Sequence, residues 1–376
     1  MPSTRLGVGL CKEKSINPRV TFVVSALGVG GAERVISKLV NDWVSRGCSV
    51  TLVSLRDDIT DHFELDVRVQ RVSATFFWPS NNAVSRFIDL FRRHFRLRKT
   101  ILDSDPDIVV CFINKLNVRV LISLFGNSVP VIVSERSNPE QERLGYWWEL
   151  LRGIAYRKAA VVVVQTTAVQ AWFSKMFPSM DLAVVPNGVA PVNQAPFHDR
   201  TREVVSVGRL SWEKGQAALL ESWARVDRGE WRLTIVGDGP DRERLEKLAQ
   251  KLGVGDSVNF VGDIEAPDQI LRTAGIFVLS SIYEGFPNAL LEAMASGVPV
   301  VSFDCPNGPR DIVRDGVDGY LVPAGDTHQL SKKMQDLMNE ESLRQQFGKN
   351  AMQVAERFSE KHVADLWYEV LRRSAV

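Results

Sequence analysis

The chain has 376 residues, enough for two domains. Hydrophobic residues supply 45% and charged ones 24%, a composition that excludes a disordered or fibrous chain. The net charge of +1 conceals a split, because residues 1–195 carry 24 basic and 17 acidic side chains while residues 196–376 carry 22 and 28. A basic first half points to an anionic surface or ligand.

Cys11, Cys48, Cys111 and Cys305 are far apart and form no CxxC pair, so neither a zinc site nor a disulfide framework is indicated. His62, His94, His198, His328 and His362 lack metal-ligand spacing. No apolar run approaches the ~18 residues of a membrane span. The Leu6–Cys11 stretch is too short and glycine-broken for a secretory h-region. These features predict a protein of the reducing cytoplasm, with residues 1–17 as a flexible extension.

Along the chain, short β-branched runs alternate with helix-length amphipathic segments. The first strand is predicted over Arg19–Ala26, followed by Gly28-Val29-Gly30-Gly31-Ala32-Glu33-Arg34 and a helix over Ala32–Ser45. This glycine loop is not the dinucleotide fingerprint, because Glu33 replaces the last glycine. Its helix-opening amides suit an anion or a closely approaching substrate; a tight turn with no ligand explains it equally well. A second strand follows over Ser49–Leu55.

Val84–Leu102 then carries six basic residues and one acidic residue. Helical spacing places Val84, Phe87, Ile88, Phe91, Phe95 and Leu102 on one face, with Arg92, Arg93, Arg96 and Lys99 on another. A basic amphipathic helix fits a membrane surface. It also fits a core-packed helix with a solvated basic face. Trp78 and Tyr146-Trp147-Trp148 can add interfacial aromatics, although aromatics more often belong to a core.

Strands are predicted next over Asp107–Cys111, Pro130–Ser134 and Ala160–Gln165. The cluster Pro186-Asn187-Gly188-Val189-Ala190-Pro191 marks a domain boundary, which separates residues 1–190 from 191–376. A new strand–helix series follows, with strands over Glu203–Val207, Arg232–Val236, Ser257–Val261, Ile276–Leu279 and Val298–Phe303, and helices over Asp241–Lys251 and Ala289–Ala295. Continuous apolar strands covered on both faces predict two doubly wound α/β domains of Rossmann type.

Two motifs of the second half carry chemistry. In Gly208-Arg209-Leu210-Ser211-Trp212-Glu213-Lys214-Gly215, two cations precede a helix. There they oppose the macrodipole unless an anion joins them, which suggests a diphosphate; a salt bridge from Lys214 to a carboxylate is the alternative. In Glu284-Gly285-Phe286-Pro287-Asn288-Ala289-Leu290-Leu291-Glu292, Gly285 permits an unusual turn and Pro287 suits a first helical turn. The amides around Phe286–Ala289 then face an anionic diphosphate. Glu292 can accept two hydroxyl hydrogen bonds from a ribose diol, and Glu284 can reach a sugar. Taken singly, Glu292 also fits an acid suiting the dipole, and Glu284 a solvated loop charge.

The ensemble GGAER, VGRLSWEKG, VGDGP (Val236–Pro240), EGFPNALLE and SGVPVV (Ser296–Val301), in this order, resembles the retaining glycosyltransferases of family GT4. The likeness runs from Arg19 onward, with PNGV and Cys305–Asp326 fitting as well. Ser134-Glu135-Arg136-Ser137-Asn138-Pro139 is similar to bacterial members that build capsule, exopolysaccharide or lipid-linked oligosaccharides. The resemblance implies the GT-B fold: two facing Rossmann-like domains, an N-terminal acceptor domain and a C-terminal donor domain, with the last helix (358–374) packing back on the first. It implies Arg209 and Lys214 on the donor diphosphate, Glu284 on the transferred sugar and Glu292 on the nucleotide ribose. Gly285, Phe286, Pro287 and Asn288 form the donor-binding turn. Gly30 and Gly31 approach the donor phosphate and the acceptor, and Glu135 and Arg136 face the cleft.

The implied reaction moves a hexose or N-acetylhexosamine, retaining configuration, from a nucleotide donor (UDP-linked) to a glycan or lipid-linked glycan. No metal or other cofactor is expected, and nucleic acid is not an expected partner. An anionic membrane surface is, at the cytoplasmic face of the inner membrane. Two departures stand out: Ser137 where relatives often have Asn, and Asp311 where Glu is common. Two rival readings are a non-hydrolysing sugar-nucleotide 2-epimerase of the same fold, which the two spaced glutamates disfavour, and a non-catalytic glycan-assembly subunit, which the intact Arg209, Lys214, Glu284 and Glu292 disfavour.

Overall fold

A computed structural model of the chain describes residues 17–28, 30–56, 62–74, 83–142, 144–192, 200–264 and 267–374, with side chains left undescribed over 83–90. Cys11, Trp78, His198 and the expected extension before Asn17 lie outside the described residues.

Strands and helices alternate as the apolar runs predict. The first series contains β1 (Arg19–Val24), α1 (Gly31–Ser45), β2 (Ser49–Ser54), β3 (Gln70–Ser73), α2 (Ala83–Asp103), β4 (Ile108–Phe112), α3 (Asn114–Ser123), β5 (Val131–Ser134), α4 (Tyr146–Ala155), β6 (Val161–Val164), α5 (Thr167–Met176) and β7 (Leu182–Val184). These strands form one sheet in the order β3-β2-β1-β4-β5-β6-β7. Strand β1 runs parallel to both β2 and β4.

The second series contains β8 (Glu203–Val207), α6 (Gln216–Trp223), β9 (Arg232–Val236), α7 (Arg242–Lys251), β10 (Val258–Gly262), α8 (Pro267–Thr273), β11 (Ile276–Leu279), α9 (Asn288–Ala295), β12 (Val300–Asp304), α10 (Pro309–Ile312) and β13 (Gly319–Pro323), followed by α11 (Thr327–Asn339), α12 (Glu341–Ala351), α13 (Val354–Arg357) and α14 (Glu360–Ser374). Its sheet has the order β10-β9-β8-β11-β12-β13, every pair parallel. Among the described residues, those up to Val133, Arg152–Val161 and those from Tyr368 onward form one compact unit, and Ser134–Leu151 with Val162–Trp367 form the other. Within the first unit, the Arg46 guanidinium lies 4.8 Å from the Tyr368 ring centre.

The second sheet shows why its strands read as unbroken apolar runs. Val204, Ile276, Val278 and Val301 join one core with Leu219, Trp223 and Leu330. Their chain neighbours Val205, Phe277, Leu279 and Val300 join another with Leu290, Met294 and Ile312. Successive side chains point to opposite faces, so covering both faces needs every position apolar. Each such side chain contributes roughly 1.5–3 kcal/mol on burial.

Three strands escape the sequence reading: β3, β7 and β13, all at sheet edges. An edge strand is covered less, so Gln70-Arg71-Val72-Ser73 needs no apolar run and has one half-buried residue among exposed ones. Predicted ends of the other strands shift by up to two residues. On the basic helix, the side chains of Val84, Phe87 and Ile88 lie outside the described residues, and the exposure of Phe91 and Phe95 disfavours the core-packed alternative for the expected apolar face. Helix α2 buries Leu97 and Ile101, while Phe91 and Phe95 are exposed together with Arg92, Arg93, Arg96 and Lys99. Arg98 fastens its inner side by donating to the carbonyls of Ser123 and Phe125.

Candidate active site

In a doubly wound sheet, the chain leaves the central strands in opposite directions, opening a crevice at their carboxyl ends where ligands bind. In the second sheet that point lies between β8 and β11. The loop after β8 carries Arg209 and Lys214, and the loop after β11 carries Glu284. Residues 70 positions apart in sequence are thereby joined: the Lys214 ammonium donates to both carboxylate oxygens of Glu284, at 2.8 and 2.9 Å. The alternative reading of Lys214 as a salt-bridge partner is therefore realised, with the other motif's glutamate as its partner. Glu284 is not a solvated loop charge; its side chain is 8% exposed, against 29% for Lys214.

Two serines that the sequence reading passed over hold this pair. Ser281 is buried and donates to Glu284 Oε1 at 2.6 Å. Ser280 donates to the backbone carbonyl of Lys214. Their signal was their position, immediately after a buried parallel strand and before an acidic loop residue. The two loops touch elsewhere through Trp212 and Tyr283, whose rings are 5.8 Å apart. Behind them, Cys305 is buried beside the pair; burial first, and then the Glu284 charge, pushes its thiol up to about 12.

Gly215 closes the first loop in the left-handed region, at φ +66°, between the turn Trp212–Lys214 and α6. A Cβ there would collide with the Ser280 carbonyl. Left-handed backbone costs an L-residue about 1–2 kcal/mol, to which the collision adds. Gly215→Ala is expected to lower the midpoint of thermal unfolding and, by moving Lys214, to depress activity. An unchanged melting curve would contradict this account of the loop.

Arg209 is exposed and makes no ion pair with a described residue. Helix α9 begins at Asn288, with Pro287 as its N-cap residue and no side-chain cap, so Pro287 stands one position outside the predicted helical turn. A helix start leaves amides without intrahelical acceptors, here adjoining the Glu284 loop. Phe286 contributes backbone alone, since its ring packs in the core against Phe358. Glu292 is half-buried one turn into α9.

Glu135 and Arg136 follow β5 and belong to the same compact unit as Glu284. Glu135 is buried, and its amide donates to the Val163 carbonyl. Desolvation lowers Arg136 to about 10, which leaves it cationic at neutral pH. The Arg136 carbonyl lies against Gly285, and a Cβ at 285 would collide with it. Glycine there thus permits close backbone approach. Asn288 also accepts from Asn187 Nδ2, whose own Oδ1 accepts from Gln165.

Gly30 and Gly31 lie in the other unit, at the start of α1. Their loop follows β1, whose neighbour β4 makes this the corresponding switch point of the first sheet. Gly30 is the N-cap, with no side-chain cap, but the Glu33 carboxylate folds against it. The first-turn amides therefore already have an acid beside them. Ile113, at the end of β4, has φ +77°, a strained backbone for a β-branched residue. Sequence offers no sign of it. Among the described residues, no group of three or more His, Cys, Asp or Glu side chains is arranged to hold a metal ion.

Comparison with known proteins covers both halves of the chain. Residues 29–192 match the family model described as Glycosyltransferase Family 4, and residues 192–354 match Glycosyl transferases group 1. A Campylobacter jejuni GalNAc-alpha-(1->4)-GalNAc-alpha-(1->3)-diNAcBac-PP-undecaprenol alpha-1,4-N-acetyl-D-galactosaminyltransferase is 25% identical, over 94% of this chain and 98% of its own. The amylovoran biosynthesis glycosyltransferase AmsD of Erwinia amylovora is 27% identical, over 91% and 96%. The solved structure of Anabaena HepE in complex with UDP and glucose superposes with a TM-score of 0.78 at 18% identity, over 94% and 99%. The fold is the two-sheet α/β architecture termed GT-B.

Proposed function

Since the chain belongs to the GT4-type glycosyltransferases, we propose that it moves a hexose or N-acetylhexosamine from a UDP-linked donor to a glycan or lipid-linked glycan during assembly of a cell-surface polysaccharide. The observation that carries this reading is the Lys214–Glu284 pair at the β8/β11 switch point, next to the uncapped start of α9. The near-full-length relatives in polysaccharide and lipid-linked glycan synthesis support the acceptor class, and a UDP-bound neighbour of the same fold supports the donor.

In this reaction the bond between the anomeric carbon and the diphosphate breaks, and charge develops on the leaving group. Arg209, Lys214 and the α9 amides stabilise that charge, a part that preorganised donors play best in a water-poor site. The diphosphate competes with Glu284 for the Lys214 ammonium, and the carboxylate then accepts from a sugar hydroxyl. The acceptor oxygen attacks the face the diphosphate leaves, passes its proton to the departing phosphate oxygen, and so retains configuration. No metal is required in this scheme.

A panel of nucleotide sugars, incubated with a membrane extract as acceptor source, tests the proposal. Transfer of one UDP-hexose or UDP-N-acetylhexosamine is expected, with unchanged rate in EDTA and an α-linked product. Interconversion of donor sugars without acceptor, or no turnover of any donor, would overturn it.

A further inference from the structure

The segment after β5, helix α5 and the turn after β12 border a cavity of about 580 Å³, within the compact unit that holds Glu284. That size suits a small ligand or one segment of a larger one. One residue of its lining carries the sign of a ligand. Asn138 is 2% exposed, and its Oδ1 accepts from the Glu140 amide at 2.9 Å, which fixes the orientation of the side-chain amide. Its Nδ2 is then a buried donor with no hydrogen-bond partner. Buried polar groups in folded chains are paired with few exceptions, and each exception needs a reason. An acceptor atom on a bound ligand supplies one here.

The rest of the lining decides which ligand. The Thr167 hydroxyl donates to Asp311 Oδ1 at 3.4 Å, a contact too long to satisfy either group. Burial is the largest influence on the Asp311 carboxyl and raises it above the ordinary aspartate value, as expected of an acid drawn out of water. Trp172, half-buried, adds an aromatic ring. Anions are disfavoured, because Glu140, Asp304 and Asp311 outnumber Lys175 and Arg310 in the lining. Arg310 is moreover held by Asp304 through two hydrogen bonds. An amide donor, a hydroxyl, a carboxyl and an indole together match a neutral ring with hydroxyls on its edge and C–H groups on its faces, which is a sugar.

The cavity stands beside the reaction centre without being part of it. Pro306, in its wall, accepts from the Glu284 amide at 3.3 Å, while Arg209, Lys214, Glu284 and Glu292 do not line it. We propose that this cavity holds a neutral sugar ring of the acceptor glycan other than the ring that is attacked. Resting on the proposed transfer to a glycan, this assigns recognition of a neighbouring acceptor ring to Asn138, Thr167, Trp172 and Asp311.

Transfer by the full chain at saturating UDP-sugar, against a titrated membrane extract as acceptor source, tests the assignment. Thr167→Val with Trp172→Leu is expected to raise the extract concentration for half-maximal rate by about tenfold, the size of one good hydrogen bond lost. Asn138→Asp keeps the oxygen that accepts from Glu140 and removes the donor nitrogen, and is expected to act in the same direction. The saturated rate and the half-saturating donor concentration should stay within about twofold of wild type, because a ring held away from the reacting bond contributes equally before and during reaction. Thr167 is exposed, so Thr167→Val alone, with an expected rise of about threefold, keeps the test open should the double variant melt low. Unchanged half-saturation in all three variants, or a fall in saturated rate in its place, would overturn the inference and leave the proposed function standing. A wild-type chain that turns over no donor would overturn that function, and this subsite with it.

Discussion

Glu284→Ala is expected to lower the transfer rate by about 10²–10³, the usual loss when one preorganised group is removed from a reacting centre. Stability should hardly change. Once the carboxylate is gone, Lys214 is the remaining charge, and at 29% exposure it regains hydration. Glu284→Gln separates charge from hydrogen bonding: the amide can still accept from a sugar hydroxyl but cannot pair with the ammonium. Its rate should fall between those of wild type and alanine. Single-turnover rates at saturating donor, with thermal melting beside them, check both halves. A rate within a factor of about three of wild type for Glu284→Ala would remove this residue from the mechanism.

The reverse substitution behaves differently, and the asymmetry comes from burial. Lys214→Ala leaves Glu284 with 8% exposure and no cation. Removing one partner of a buried pair typically costs about 3–5 kcal/mol; Ser281 still donates to Glu284, so the lower end is expected. Unfolding at about 2–4 °C lower per kcal/mol makes this plain in a melting curve. Transfer should also fall, because the diphosphate loses a charge partner. The double substitution Lys214→Met, Glu284→Gln removes both charges and should recover most of the stability and none of the activity. If the double variant melts as low as Lys214→Ala, the buried charge is not the source of the loss.

These residues were legible to different degrees. Arg209, Lys214, Glu284 and Glu292 stood out because each occupies a loop or helix start after an apolar strand. Local spacing announces such places. That Lys214 would grip Glu284 was not legible, since the contact depends on β8 and β11 lying side by side. Ser281 looked like any small residue after a strand until its hydroxyl met the carboxylate. The strand Gln70–Ser73 went unseen because an edge position asks little of its side chains.

The helices show the same boundary. The sequence by itself determined that Val84–Leu102 is helical and strongly basic, and that most of the strands are covered on both faces. Periodicity and β-branching are local properties, and they decide secondary structure and fold class. Which side of a helix is covered is a property of its neighbours. Helix α2 turned Leu97 and Ile101 inward and left Phe91 and Phe95 outside, and α4 buried an arginine while exposing a tryptophan. Only the tertiary structure decided those orientations and the Lys214–Glu284 pairing, because burial and charge pairing arise between segments distant in sequence.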